Sequence, residues 1–289
     1  MSSHGNLRLF LLPSAVLLAA VLLYPLGYAV YLSLFDVSIG RGEARFVGLG
    51  NYLELLSDEQ VWWSVWTTLV IVLPAVTLQF VIGFLLAYGL FSLVRGGRAF
   101  LILNFLPHII TPVVAALFLR WIFVGRWGLL DATLATFGIW PPDWLGDPTW
   151  ARITIIVADT WKFTPFMTLV LFAGLLSMDR NLFDAAAVDG ADGWSLVWHV
   201  ILPTLRPIIL FVLVIRTMDA IRFFDTIYVM TGGGPGTATQ TIPILTYRIG
   251  FGLLQMGKAS TLGVLALLLA AVLIAALILI AYRRERGAF

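Results

Sequence analysis

The chain has 289 residues, 60% of them hydrophobic and only 12% charged, against roughly 25% charged in average soluble domains. So few charges cannot cover a water-soluble protein of this size, and with a mean hydropathy of +0.96 the chain is solvated mainly by lipid. A net charge of +2 gives no concentrated basic face for nucleic acid, and the absence of cysteine excludes disulfides, thiolate metal sites and a cysteine nucleophile.

A helix needs about 20 apolar residues to cross a bilayer core of about 30 Å. Residues 9–35, 60–94, 99–119 and 259–282 contain no Asp, Glu, Lys or Arg, and 152–178 and 207–230 are apolar apart from internal charges. The sequence therefore predicts an all-α polytopic membrane protein with six transmembrane helices. The first stretch is too long for a signal peptide and holds Pro13, Tyr24 and Pro25, so it reads as an uncleaved span. Pro74, Pro112 and Pro165 predict kinked spans. With six spans, Arg8, Arg95, Arg98, Arg283, Arg284 and Arg286 share one side, which marks the cytoplasm and places both termini there. The 36–59 loop, with five acidic residues against Arg41 and Arg45, then faces outward.

Three connections are long enough for structure of their own. Residues 125–151 are rich in Trp, Pro and Gly and suit a compact interfacial cap. Residues 231–258 open with Gly232-Gly233-Gly234-Pro235-Gly236, which cannot stay helical. The inner loop, 179–206, reads as two short helices around a turn. Ala185-Ala186-Ala187 favour the first helix, Asp189-Gly190 stop it, and the Asp192 side chain is placed to cap the second. On that second helix Trp194, Val197, Trp198 and Ile201 fall on one apolar face, Pro203 ends it, and Pro207 suits the first turn of the next span. Such a helix pair could simply lie on the membrane surface.

The order of residues points further. Asp184-Ala185-Ala186, then Gly190, then Val200-Ile201-Leu202-Pro203 resembles the coupling-loop signature of binding-protein-dependent ATP-binding-cassette permeases, with Asp184 in place of Glu and Val200 in place of Ile. Trp161-Lys162, Pro165-Phe166 and Ala173-Gly174-Leu175 before the loop, and Phe224-Asp225-Thr226-Ile227-Tyr228 and Thr231-Gly232-Gly233-Gly234-Pro235 after it, resemble the sugar-type permeases, in particular the maltose and glycerol-phosphate branch. Asp131 stands where that branch carries Asn. The resemblance covers about residues 10–285. It implies a type I importer permease, one transmembrane domain over 1–289 with a cytoplasmic coupling loop at 179–206, in a bacterial or archaeal cytoplasmic membrane. It also implies a second homologous permease, two cytoplasmic ATPase subunits that hold ATP and Mg, and an extracytoplasmic solute-binding protein delivering a sugar-like solute. The chain itself would carry no cofactor and would not be an enzyme. Asp184, Ala185, Ala186, Asp189, Gly190, Leu202 and Pro203 would couple it to the ATPase.

Charges inside spans are costly unless paired or wetted. Arg216, Asp219, Arg222 and Asp225 follow one another at intervals of three, so they read either as a salt-bridge ladder or as groups lining a path. Asp219 is placed along the substrate path, Asp225 and Tyr228, near the outer end, are the better candidates for sugar hydroxyls, and Trp161 and Phe224 are aromatic faces for a sugar ring. Lys162 either pairs with Asp159 or points toward a cavity. His4, His108 and His199 are isolated, and no catalytic or metal-binding group emerges. A proton-coupled secondary transporter relaying through Asp219 and Asp225 is the rival reading, and an intramembrane aspartate hydrolase a weaker one.

Overall fold

The computed structural model describes residues 3–40, 44–92 and 97–286. In chain order the elements are α1 (Ser3–Ser33), β1 (Phe35–Asp36), β2 (Arg45–Phe46), α2 (Gly50–Ser57), α3 (Glu59–Ser92), α4 (Gly97–Ile109), α5 (Pro112–Phe123), α6 (Leu129–Thr136) and α7 (Pro148–Leu176). After these come α8 (Arg180–Val188), α9 (Gly193–Leu196), a π-helical turn at Val197–Ile201, α10 (Leu202–Ile221), α11 (Asp225–Met230), α12 (Ile242–Tyr247), a second π-helical turn at Arg248–Gly252 and α13 (Met256–Arg286). Among the described residues five helices are long and apolar enough to cross a membrane, and six spans result if α4 and α5, bent by 93° at Ile110-Thr111, count as one.

The all-α, six-span expectation therefore holds in outline, with corrected boundaries. The third span is broken, because Pro112 sits at the first turn of α5 and disfavours a helical residue before it. The fifth span begins at Gly193 and ends at Ile221, and 225–230 forms a separate short helix. Pro203 does not end the loop helix, and Pro207 lies inside α10. The π-helical turn explains this. Leu202 N–H bonds back five residues to Val197 O, and the widened turn carries the helix into Pro203, which has no N–H to donate. Arg95, Arg41 and Glu43 lie outside the described residues, and of Arg8, Arg98, Arg283, Arg284 and Arg286 only the backbone is described.

The chain divides into two compact units. One comprises Met1–Trp63 and Leu245–Leu268. In it the apolar side chains of α1 lie mostly exposed, as expected of a helix surrounded by lipid. Buried Asn51 fixes the end of α1, its Nδ2 donating to Ser33 O and Phe35 O at 2.9 Å each. Leu55, Val61, Leu245, Ile249 and Leu262 form its core. Gly257 lets α13 approach β1, since a Cβ there would stand 2.1 Å from Phe35 O.

The other unit comprises Ser64–Ile244 and Leu269–Phe289. Its main core joins α3, α7, the first π-helical turn and α10 through Val72, Phe84, Met167, Leu171, Leu175, Ile201, Leu205 and Val212. A Cβ on Gly83 would stand 2.7 Å from Met167 Cβ and 3.2 Å from Thr168 N, so α3 and α7 cross closely there. In the cap, Asp131 is buried and accepts from Arg126 N at 2.6 Å and Trp144 Nε1 at 2.8 Å. Ionised, it supplies only acceptors, and both neighbours supply donors.

Gly83→Ala should destabilise the detergent-solubilised protein by about 1–3 kcal/mol, because a backbone atom must move to admit the methyl. Gly89, with no atom within 4 Å of a built Cβ, should accept alanine without loss. Thermal unfolding midpoints of the two variants test the difference.

Candidate functional site: a buried charge network and the loop below it

At the centre of the second unit, Arg216 is 1% exposed. Its guanidinium binds three side chains. Nη2 pairs with Asp159 of α7, Nε donates to Gln79 Oε1 of α3 at 2.7 Å, and Nη1 donates to Asp219 Oδ2 at 3.1 Å. Gln79 Nε2 in turn donates to Asp159 Oδ2 at 2.8 Å. The guanidinium carbon lies 3.9 Å from the centre of the Phe163 ring, within cation–π range. An arginine inside a span has to be neutralised and hydrogen-bonded where it stands, and this network meets the demand while joining three spans.

The predicted charge ladder is thus half present. Arg216 and Asp219 pair, and Arg222 reaches Asp219 at 3.9 Å from an exposed position. Asp225 takes no part, because the helix ends at Ile221 and the three-residue interval loses its meaning beyond Arg222. Lys162 does not pair with Asp159, which Arg216 occupies. Its ammonium donates to Ile110 O, the carbonyl at the break between α4 and α5. A cation there meets the negative end of the α4 dipole. Gln79 and the cross-helix role of Asp159 were missed by sequence reasoning. They lie 137 and 57 residues from Arg216, and no local spacing reports such pairs.

A cavity of about 400 Å³ opens beside the network, lined by His108, Phe163, Phe166, Arg216, Asp219 and Arg222 among others. His108 is not isolated: its ring packs among Phe105, Phe163 and Phe166 at 5.1–5.7 Å. Aromatic faces beside a carboxylate and a guanidinium form a surface that can stack on a ring and bond its hydroxyls. Of the expected path residues only Asp219 lines this cavity. Trp161 lines a different groove, and Phe224, which precedes α11, stacks on Tyr228 of that helix at 5.1 Å, next to exposed Asp225.

The loop below α7 is built as a helix, a turn and a helix. Asp179 caps α8 by accepting from Asn181 N at 3.0 Å. The helix ends in a Schellman motif: Gly190 N donates to Ala187 O at 3.2 Å, Ala191 N donates to Ala186 O at 2.8 Å, and Gly190 takes φ +72°. Nothing lies within 4 Å of a Cβ built on Gly190, so conformation rather than space demands glycine. Ala186 is buried while Asp184, Ala185, Asp189 and Gly190 are exposed, and Leu202 and Pro203 are half-buried. The Asp192 side chain makes no cap bond, and its backbone carbonyl accepts from Ser195 N instead. The predicted apolar face of the second helix also divides. Val197 and Ile201 are buried while Trp194 and Trp198 are more than 60% exposed, because the helix presents the tryptophans away from the core that holds the π-helical turn.

Arg216→Ala would leave Asp159 buried without its counter-charge and should cost about 3–5 kcal/mol. The double change Asp159→Asn with Arg216→Gln should recover much of that loss. Thermal midpoints and the yield of folded chain from membranes check the pattern.

Comparison with known proteins places this geometry. The family described as "binding-protein-dependent transport system inner membrane component" matches residues 9–285. The trehalose/maltose transport system permease protein MalF of Thermococcus litoralis is 34% identical over 90% of this chain and 88% of its own. The trehalose transport system permease protein SugA of Mycobacterium tuberculosis is 37% identical over 88% of this chain and 81% of its own. A bacterial ABC transporter involved in the import of the acidic polysaccharide alginate has the same fold, with a TM-score of 0.82, 23% identity and 96% of each chain covered. The chain therefore belongs to the binding-protein-dependent transport system inner membrane components and is a multi-pass permease subunit with the type I importer fold, a transport component rather than an enzyme.

Proposed function

We propose that the chain is one permease half of an ATP-driven importer for a sugar or sugar-like solute, working as a single transmembrane domain by alternating access. The observation that carries this reading is the build of the 179–206 loop. The exposed helix α8, turned at Gly190, leads into one helical run from Gly193 to Ile221, which carries Arg216 and Asp219 at the charged cavity. A push on the loop is thereby linked to the residues best suited to hold a solute.

In this reading Asp184, Ala185, Ala186, Asp189, Gly190, Leu202 and Pro203 form the docking element for one of two cytoplasmic ATPase subunits, which bind ATP and Mg. A second homologous permease completes the path, and an extracytoplasmic binding protein delivers the solute. The names of the relatives, two of them trehalose transport permeases, support a sugar-like solute. Asp219 faces the path, Trp161 and the Phe224-Asp225-Tyr228 face lie along it, and the arginine-rich ends and both termini face the cytoplasm. The proton-relay alternative gains no support, since Asp219 is already engaged by two arginines and Asp225 sits on another helix.

Gly190→Val tests the coupling. A β-branched residue at positive φ costs about 1–2 kcal/mol, enough to shift the loop about 5–30-fold away from its native turn. With the complex and its binding protein reconstituted, solute uptake per ATP hydrolysed should fall while the chain remains folded, and Gly190→Asn should retain activity because Asn tolerates this region. Normal uptake with normal solute-stimulated hydrolysis in Gly190→Val would remove the coupling assignment.

A further inference from the structure

We infer that the cavity between the 125–151 cap and the glycine-rich loop after α11 holds the head group of a zwitterionic membrane lipid of the phosphatidylethanolamine class. Arg120 and Arg126 take its phosphate and Asp143 its ammonium. The inference needs only that the chain is embedded in a membrane, and it goes beyond the importer reading without resting on it.

The cavity encloses about 620 Å³, within the roughly 300–1,000 Å³ of small-molecule sites. Arg120 of α5 and Arg126 and Asp143 of the cap line it, with Met230 and Pro235 across from them in the chain. Arg126 is the informative residue. It holds φ +67°, a left-handed conformation that glycine would take without strain. The turn is fixed through the backbone, Gly128 N donating to Val124 O at 2.8 Å and Arg126 N to Asp131 Oδ2 at 2.6 Å. Nothing in it uses the arginine side chain, whose guanidinium makes no hydrogen bond or ion pair among the described residues. A strained arginine with no partner of its own points to a ligand outside the chain.

The neighbouring groups say which ligand. Arg120 spends only Nη1, on Val229 O at 3.0 Å. Asp143 spends Oδ1 on Gly146 N at 2.8 Å and keeps Oδ2 for another donor. Asp131, the other carboxylate on the wall, already gives one oxygen to Arg126 N and one to Trp144 Nε1. Two guanidiniums and one available carboxylate complement a phosphate tethered to an ammonium. Guanidinium matches phosphate with paired N–H donors, and a carboxylate accepts from a primary ammonium, whereas choline has no N–H to give.

The level of the cavity favours a lipid over a solute. Helix α7, 29 residues or about 43 Å long, runs from the cap at Pro148 toward the 179–206 loop, so cap and loop lie at opposite membrane faces. Trp121, Trp127 and Trp140 stand next in sequence to the lining residues Arg120, Arg126 and Pro141, and all three are more than 70% exposed. Tryptophans collect at the depth of the head groups, which sets the open guanidinium among phosphates.

The test adds equal amounts of phosphatidylethanolamine, phosphatidylcholine and phosphatidylglycerol with identical acyl chains to the full chain in mild detergent, and native mass spectrometry counts what is retained. Phosphatidylethanolamine should exceed each of the others at least about tenfold, the weight of one charge-assisted hydrogen bond. Arg126→Gly should lower its retention by about the same factor, while the thermal midpoint without lipid stays level or rises because glycine relieves the turn. Asp143→Asn should bring phosphatidylethanolamine down to the level of phosphatidylcholine. Equal retention of the three lipids, or unchanged retention in Arg126→Gly, would overturn the inference. The occupant is identified with benzoylphenylalanine in place of Pro142, irradiated in cells whose membranes contain phosphatidylethanolamine. An adduct with that lipid is expected. Adducts only with another lipid, with the solute or with a binding protein, or no adduct at all, would overturn the assignment and leave the importer reading intact.

Discussion

A guanidinium held almost out of contact with solvent, in a chain whose solvent is largely lipid, sets the terms for everything around it. A buried guanidinium needs counter-charge and acceptors where it stands, and Asp159, Gln79 and Asp219 reach Arg216 from α7, α3 and a turn further along α10. That requirement fixes the depth and rotation of three spans relative to one another. The close crossing at Gly83 agrees with it, because two helices tied by a short polar bridge need a residue without a side chain where their backbones meet. The same network leaves Asp219 and Arg222 at the rim of a cavity floored by aromatic rings, which makes a structural necessity also a chemical surface.

From this centre the helix runs without interruption toward the loop. Pro203 and Pro207 would break an ordinary helix, yet the π-helical turn at Val197–Ile201 brings the chain into the first proline with its hydrogen bonds displaced by one residue. The buried Val197 and Ile201 anchor that turn in the same core as Met167 and Leu171. The loop that we propose transmits movement is attached to the bundle through packed side chains on one side and turned by Gly190 on the other. The glycine supplies a fixed turn with free space around it, which suits an element that another protein grips.

The spans were legible in the sequence because lipid tolerates so few charges that long charge-free intervals stand out. Gly190 was legible because its place after Ala185-Ala186-Ala187 leaves few other conformations open. The boundaries failed where a local rule met a neighbour it could not see. Pro203 reads as a stop until the π-helical turn is known, and Arg222 reads as a rung of a ladder until the helix ends beneath it. The partners of Arg216 were hidden by distance along the chain. Of the candidate site, the loop residues lie on α8, its closing turn and the start of α10, while Trp161, Asp219 and the Phe224-Asp225-Tyr228 face are separated among three surroundings.

The central claim is that movement of solute through this chain is driven from the 179–206 loop by ATP hydrolysed on partner subunits, and not by a proton gradient acting on its own carboxylates. The most direct measurement is solute uptake into liposomes that contain the assembled complex and its binding protein, with and without enclosed ATP and with and without an uncoupler. The account predicts uptake that requires ATP and the binding protein and is unchanged by the uncoupler. Uptake that proceeds without ATP and collapses when the uncoupler is added would contradict it.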